Sequence, residues 1–319
     1  MKVKMSSAIM TFSAFLFMQV NAGGLYYHID NENTVIDAND PWRLYQDNTY
    51  NEVGDGGVNV FNTILETHPN DSLRPWTTTS VSYKGDRALV FRWDATSTGV
   101  GDVKDKVMYA IGPHYDSMPG VNDWDPDSVL YEDELRYVGF ALCIPSTNFM
   151  ALRNGIWTML FQSYQVNIGS GRPPFAMHIQ RSNQTSSKVD LLFLIRDDAL
   201  DPDQQTGDTE NAKESILLPG IKRNVWYEFV IRLKPSIGDS DGNIMVWVAE
   251  GDNLPSSSSP DLNDYRVVNY NGTWGYDVSP EVPTFSQQIG MYSSEADDRR
   301  ATIYVDEIKY GTTYNLVNP

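Results

Sequence analysis

After Gly23 this chain shows short runs, some alternating between apolar and polar residues and some continuously apolar. The runs Ala88–Trp93, Lys106–Ile111, Tyr137–Ile144, Trp157–Gln165, Phe175–Arg181, Val189–Ile195, Trp226–Lys234, Asn243–Ala249, Gln287–Tyr292 and Ala301–Tyr310 each predict a strand. Clusters of turn-forming residues separate them: Gly99-Val-Gly101, Gly169-Ser-Gly-Arg-Pro-Pro174, Gly238-Asp-Ser-Asp-Gly242 and Pro255-Ser-Ser-Ser-Ser-Pro260. Asp241-Gly242, between Ile231–Lys234 and Ile244–Trp247, carries a hairpin signal. After Gly23 no long segment has helical period, and no repeat of fixed length is visible. The pattern therefore predicts an all-β fold, a sandwich or a barrel. No linker divides the chain, so residues 23–319 are expected to form one domain. The acidic loop Asp197–Asn211 and the Ser/Pro loop Asp252–Asp264 are read as excursions from it.

The N-terminus follows another pattern. Lys2 and Lys4 precede an apolar run from Ala8 to Val20, and Val20-Asn21-Ala22 offers small residues before Gly23. This predicts a secretory signal peptide over residues 1–22, too short to span a bilayer, and hence a secreted or periplasmic protein with no membrane span. The 319 residues include 24 Lys+Arg and 42 Asp+Glu, for a formal net charge of −18. Cleavage would remove Lys2 and Lys4 and no acid, leaving −20. An acidic chain without a basic block is a poor match to nucleic acid. The single cysteine, Cys143, excludes an intrachain disulfide and a cysteine-based zinc site.

Several stretches in order carry a family likeness. They are Tyr137-Val-Gly-Phe-Ala-Leu-Cys-Ile-Pro145, Gly155-Ile-Trp-Thr-Met-Leu-Phe-Gln162, Trp226-Tyr-Glu-Phe-Val-Ile-Arg-Leu-Lys234, Asp241-Gly-Asn-Ile-Met-Val-Trp247, Gln288-Ile-Gly-Met-Tyr292 and Ile303-Tyr-Val-Asp-Glu-Ile308. Over roughly residues 85–311 this set resembles the heparin lyase I-like polysaccharide lyases, β-jelly-roll proteins related in architecture to alginate and glucuronan lyases. The resemblance implies a sandwich of two antiparallel sheets, concanavalin A-like, whose concave face holds an acidic polysaccharide and cleaves it by β-elimination. Such a substrate would be of alginate, glucuronan, ulvan or glycosaminoglycan type. The chemistry needs a group to neutralise the uronate carboxylate, a base for the C5 proton and an acid for the leaving oxygen.

On that resemblance Gln162 matches the strand glutamine that neutralises the carboxylate. Tyr164, two residues on and on the same face, occupies a place where relatives often carry histidine. Tyr292 matches the tyrosine of the family's Lys-x-Gly-x-Tyr pattern and is the candidate general acid, or acid and base together. Gln288 stands at the lysine of that pattern, a departure that removes a positive charge. Lys106 and Arg136 are alternative partners for the carboxylate, both at positions where relatives carry arginine. Of four histidines, His178 in a strand leads as a base and His114 in the loop Gly112-Pro-His-Tyr115 follows; His28 and His68 have no supporting context. The net charge requires local basic residues in the groove, drawn from Lys106, Arg136, Arg172, Arg181, Arg196 and Arg232.

Each residue also has a plain structural reading: Tyr292 as a sheet tyrosine, Gln162 as an outward polar residue, Arg136 as a surface partner of Glu134 or Asp133. The elimination chemistry requires no cofactor. The acid-rich stretches Asp123–Asp127, residues 201–210 and Asp239–Asn243 would suit a structural Ca2+, although none has EF-hand spacing. No His-Glu-x-x-His, nucleophile elbow, P-loop or dinucleotide fingerprint is present. Two other functions fit a β-sandwich. A lectin-like module would bind sugar on exposed aromatic rings, and a glycoside hydrolase would need two carboxylates facing across a groove.

Overall fold

The computed structural model describes residues 25–29, 34–36, 44–46, 61–66, 76–94, 105–111, 129–146, 158–166, 172–180, 187–196, 212–238, 240–254, 266–276, 282–293 and 300–319. These form β1 (Leu25–Ile29), β2 (Thr34–Ile36), β3 (Leu44–Gln46), β4 (Phe61–Glu66), β5 (Trp76–Thr78), β6 (Ala88–Asp94), β7 (Asp105–Ile111), β8 (Leu130–Tyr131) and β9 (Arg136–Cys143). They continue with β10 (Thr158–Gln165), β11 (Phe175–Gln180), β12 (Lys188–Ile195), β13 (Glu214–Lys222), β14 (Trp226–Lys234), β15 (Asn243–Glu250), β16 (Arg266–Asn271), β17 (Thr284–Ser293), β18 (Arg300–Gly311) and a one-turn helix α1 (Tyr314–Val317).

Two antiparallel sheets of eight strands result. The first runs β16-β15-β14-β9-β18-β6-β5, with β1 also on β18; the second runs β13-β12-β11-β10-β17-β7-β4, with β8 also on β17. The predicted jelly-roll sandwich is the observed fold. All ten predicted strands are present, with ends shifted by no more than a few residues. The Asp241-Gly242 signal lies in the connection between β14 and β15, which pair from Lys234↔Asn243 onward, so the turn is the whole of residues 235–242. Trp274 pins that loop through its backbone bridge to Ser236 and an indole N–H donated to Lys234 O at 2.6 Å.

The core lies between the sheets and is aromatic at its centre. Phe140 of β9 stacks on Phe229 of β14 at 5.2 Å and on Phe161 of β10 at 5.8 Å, which joins the two sheets. Phe161 meets Phe175 of β11, which stacks on Phe193 of β12. All five rings are fully buried, each contributing about 1.5–3 kcal/mol. Their inward packing fixes which side chains of β10, β11 and β12 turn outward, because neighbours in a strand point to opposite faces.

The outer face of the first sheet is covered by the chain's last residues. Tyr314 and Val317 pack on Val230 and Trp247, with the Tyr314 and Trp247 rings edge-on at 4.9 Å. Gly139 lies directly beneath: a Cβ there would stand 1.7 Å from Val317 O. Nearby, the Glu228 carboxylate accepts from Tyr83 Oη at 2.7 Å, and Asp306 accepts from the backbone N–H of Tyr83 and Lys84.

Candidate functional site

The second sheet is the one that gathers most of the predicted residues. Its inward side chains include Leu160, Phe161, Phe175, Met177, Ile179, Tyr109, Ile289 and Met291, all members of the core cluster. Consecutive Leu160 and Phe161 both turn inward because the register of β10 shifts between Met159 and Phe161 on both neighbouring strands. This bulge lets an unbroken apolar run, Met159-Leu160-Phe161, coexist with outward Met159 and outward Gln162. Beyond it alternation resumes, so Gln162 and Tyr164 share the outer face.

Two cross-strand rows organise that face. In one, Gln162 lies opposite Gln288 of β17 and Ala176 of β11, and Gln288 lies opposite Ala110 of β7. The flanking alanines keep the floor low beside the two amides. In the other, Met159 separates His178 of β11 from Tyr292 of β17, and Tyr292 lies opposite Lys106 of β7. Along β17 the rows are four residues apart, about 13 Å. Gly290 stands between them and has no side chain to fill the gap. Tyr292 packs against the small apolar cluster of Met108 and Ala110 on the neighbouring β7.

Gln162 and Gln288 are withdrawn from solvent, at 1% and 0% exposure, yet they belong to the outer face and not to the core between the sheets. Gln162 Nε2 donates to Gln288 Oε1, and Gln288 Nε2 donates to Ser286 Oγ at 3.1 Å. Ser286 lies opposite Tyr164. Both Tyr164 and His178 are nearly buried. Gln165 ends the strand by donating to Tyr276 O at 2.6 Å and accepting from Tyr276 N–H at 2.8 Å, which ties β10 to the 272–276 turn.

The structure thus brings Gln162, Tyr164, His178, Gln288 and Tyr292 to one face, with Lys106 at a register position on the same face. Arg136 does not join them. It opens β9 in the first sheet, in phase with the core residues Val138 and Phe140. Its guanidinium donates to Glu134 at 3.0 Å and to Leu135 O at 3.1 Å. The plain reading as a partner of Glu134 is the observed one, and of that pair Lys106 alone belongs to the second sheet, in register with Tyr292. Two further basic candidates are also committed elsewhere. Arg232 lies in the first sheet against Met245 Sδ. Arg196 donates to Pro173 O at 2.7 Å, and burial pushes its pKa down to about 10. His114, His68, Arg181, Asp123–Asp127 and residues 201–210 lie outside the described residues. Asp241 is held by Lys234. Among the described residues no cluster of three or more His, Cys, Asp or Glu could hold a metal ion. No described helix is long and apolar enough to cross a membrane.

Ser286 is a site residue that the sequence reading missed. Its signal was available, since it precedes Gln288 by two and must share its face. Glu66 of β4, opposite Lys106 in register, was missed with its strand.

Comparison with known proteins agrees with this architecture. An endo-β-1,4-glucuronan lyase from the fungus Trichoderma reesei is similar in fold, with a TM-score of 0.50 and 15% identity over 77% of this chain and 89% of that one. The catalytic domain of a glycoside hydrolase family 131 protein from Coprinopsis cinerea gives a TM-score of 0.51 and 12% identity over 92% and 97%. At such identities the likeness is one of fold. None of the curated proteins matches the sequence. The decisive match is to a family model described as polysaccharide lyase. It spans residues 61–309 and so takes in the strands of both rows; the chain belongs to the polysaccharide lyase family.

Proposed function

We propose that this lyase cleaves a uronic-acid-containing polysaccharide by β-elimination on the outer face of its second sheet. The observation that carries the reading is that adjacent strands β10 and β17 bring Gln162, Gln288 and Tyr292 to one face of the sheet, with Gly290 between the phenol and the amides. Gln162 donates to the uronate carboxylate and so lowers the cost of the negative charge that builds as the C5 proton leaves. A base takes that proton; His178, Tyr164 and Tyr292 itself are the groups on this face able to do so. The electron pair of the C5–H bond forms the C4=C5 double bond while the C4–O bond breaks. The departing glycosidic oxygen keeps that bond's pair and takes a proton from Tyr292. The steps use side chains alone. Residues 1–22 support export of the enzyme, and the fold likeness to a glucuronan lyase supports an acidic substrate.

The test is incubation with alginate, glucuronan, ulvan and glycosaminoglycans, followed by absorbance near ~235 nm, where an unsaturated uronate is expected to absorb. At least one polymer should give the signal, and Tyr292→Phe should lower the rate by about 10²–10⁴-fold, the usual loss of a general acid. No signal on any polymer, or full activity in Tyr292→Phe, refutes the reading. The likeness to the family 131 hydrolase domain favours a second one, hydrolysis between two carboxylates. Among the described side chains of this face, Asp190 of β12 is a carboxylate, and it accepts from Gly220 N–H at 2.6 Å. Release of reducing ends without the ultraviolet signal would select hydrolysis.

A further inference from the structure

Gln288 stands where the family pattern has a lysine, and here it does something a lysine could not. It accepts from Gln162 Nε2 and donates to Ser286 Oγ. The other polar atom of Gln162, Oε1, is buried and has no hydrogen-bond partner among the described residues. An amide carries one donor end and one acceptor end, and a serine hydroxyl can act as either. Turning both amides over therefore reverses the row without losing a bond. Ser286 Oγ–H then donates to Gln288 Oε1, Gln288 Nε2 donates to Gln162 Oε1, and the Gln162 NH2 takes the place of the orphaned oxygen. In one direction the row presents an acceptor; in the other it presents two N–H donors, the arrangement a carboxylate needs.

We propose that Gln288 and Ser286 are positioning residues that set which end of the Gln162 amide faces the ligand, and that an arriving carboxylate selects the donor-outward direction. The proposal rests on the reading of Gln162 as the carboxylate's partner. It gives the Gln288 departure from the family pattern a role: the fixed charge of a lysine is replaced by a neutral, reversible donor.

Substitution at 288 reads the direction. Lysine only donates, which holds the Gln162 NH2 outward; glutamate only accepts, which holds it inward; methionine keeps the length and does neither. On the polymer that the parent cleaves, kcat should fall in the order Gln288→Lys, Gln288→Met, Gln288→Glu, with about tenfold between neighbours. The order should persist at high salt, which screens the difference in charge. In a Gln162→Ala background, Gln288→Met should change kcat by less than about twofold, because a residue that acts through Gln162 has nothing left to position. Equal losses in both backgrounds, or a glutamate variant as active as the lysine one, overturns the proposal. A second measurement needs no activity: in side-chain amide NMR spectra of the free protein, Ser286→Ala should move the Gln162 NH2 signals, since the row links the two through Gln288. Unmoved signals overturn the row itself. Moved signals with no uronate cleaved by the parent would place the failure in the proposed substrate and not in the row.

Discussion

Gly139→Ala isolates how the C-terminal segment is held. The new Cβ would stand 1.7 Å from Val317 O, where an ordinary contact is 3.4–4 Å. Backbone meets backbone there, so no rotamer change relieves it; residues 312–319 must retreat by about 1.5–2 Å. That lifts Val317 off Val230 and draws Tyr314 away from the Trp247 ring. Full exposure of the two side chains would cost about 1.5–3 kcal/mol each, and a partial retreat about half of the total, roughly 1.5–3 kcal/mol. Alanine in place of a strand glycine returns about 0.5–1 kcal/mol. The net expectation is a loss of about 1.5 kcal/mol, read as a lowered urea midpoint at unchanged m-value. The decisive control is a chain ending at Gly311. With the segment gone, the same substitution should be neutral or stabilising by about 0.5–1 kcal/mol, a reversal of sign. An undiminished midpoint in the full chain, or an equal loss in the shortened one, would refute the steric argument.

Other measurements probe different links. Burial holds the Glu228 carboxyl above the ordinary carboxylate range, against the pull of the hydrogen bonds from Tyr83 and Leu254. A raised folded-state pKa makes its charge a cost at neutral pH, so its contribution to stability should improve as pH falls through that raised value and level off below about 4.5. Glu228→Gln should remove that segment of the urea midpoint's pH dependence, and an unchanged slope would argue against it. Gln165→Leu leaves the N–H and C=O of Tyr276 without their partner and should cost about 2–4 kcal/mol in denaturant. The Cys143 thiol is buried, with its pKa pushed up to about 11. It should resist a thiol-reactive dye at neutral pH until the protein unfolds; rapid labelling of the native protein would contradict this.

Much of the architecture is legible in the sequence because buried strands advertise themselves. Phe175-Ala-Met-His-Ile and Trp226-Tyr-Glu-Phe-Val-Ile-Arg-Leu are short, largely apolar runs rich in aromatic and β-branched residues, and both are strands in the structure. The edges are less legible. β13 contains Pro219-Gly220, a breaker pair, and survives because it is an edge strand whose irregular register faces β12 and whose Gly220 N–H finds the Asp190 carboxylate. The site is legible only in part. The i, i+2 spacing places Gln162 with Tyr164 on one face, and Ser286 with Gln288 on another strand's face. What spacing cannot show is that β17 lies beside β10, which creates the amide row, or that β9 belongs to the opposite sheet, which removes Arg136. Those facts depend on pairings between segments 83 or more residues apart, and alternation carries no information about partners.

The strand order has a consequence for how the chain is made. β17 and β18, synthesised after every other strand of these two sheets, are not edges: β17 lies between β10 and β7, and β18 between β9 and β6. A nascent chain that has yet to release residue 284 therefore has two half-sheets in each layer with nothing to join them. Their unpaired N–H and C=O groups are templates for association with other chains. Maturation should then be late and abrupt, and a ribosome that stops early would yield protease-sensitive material in place of a smaller stable body.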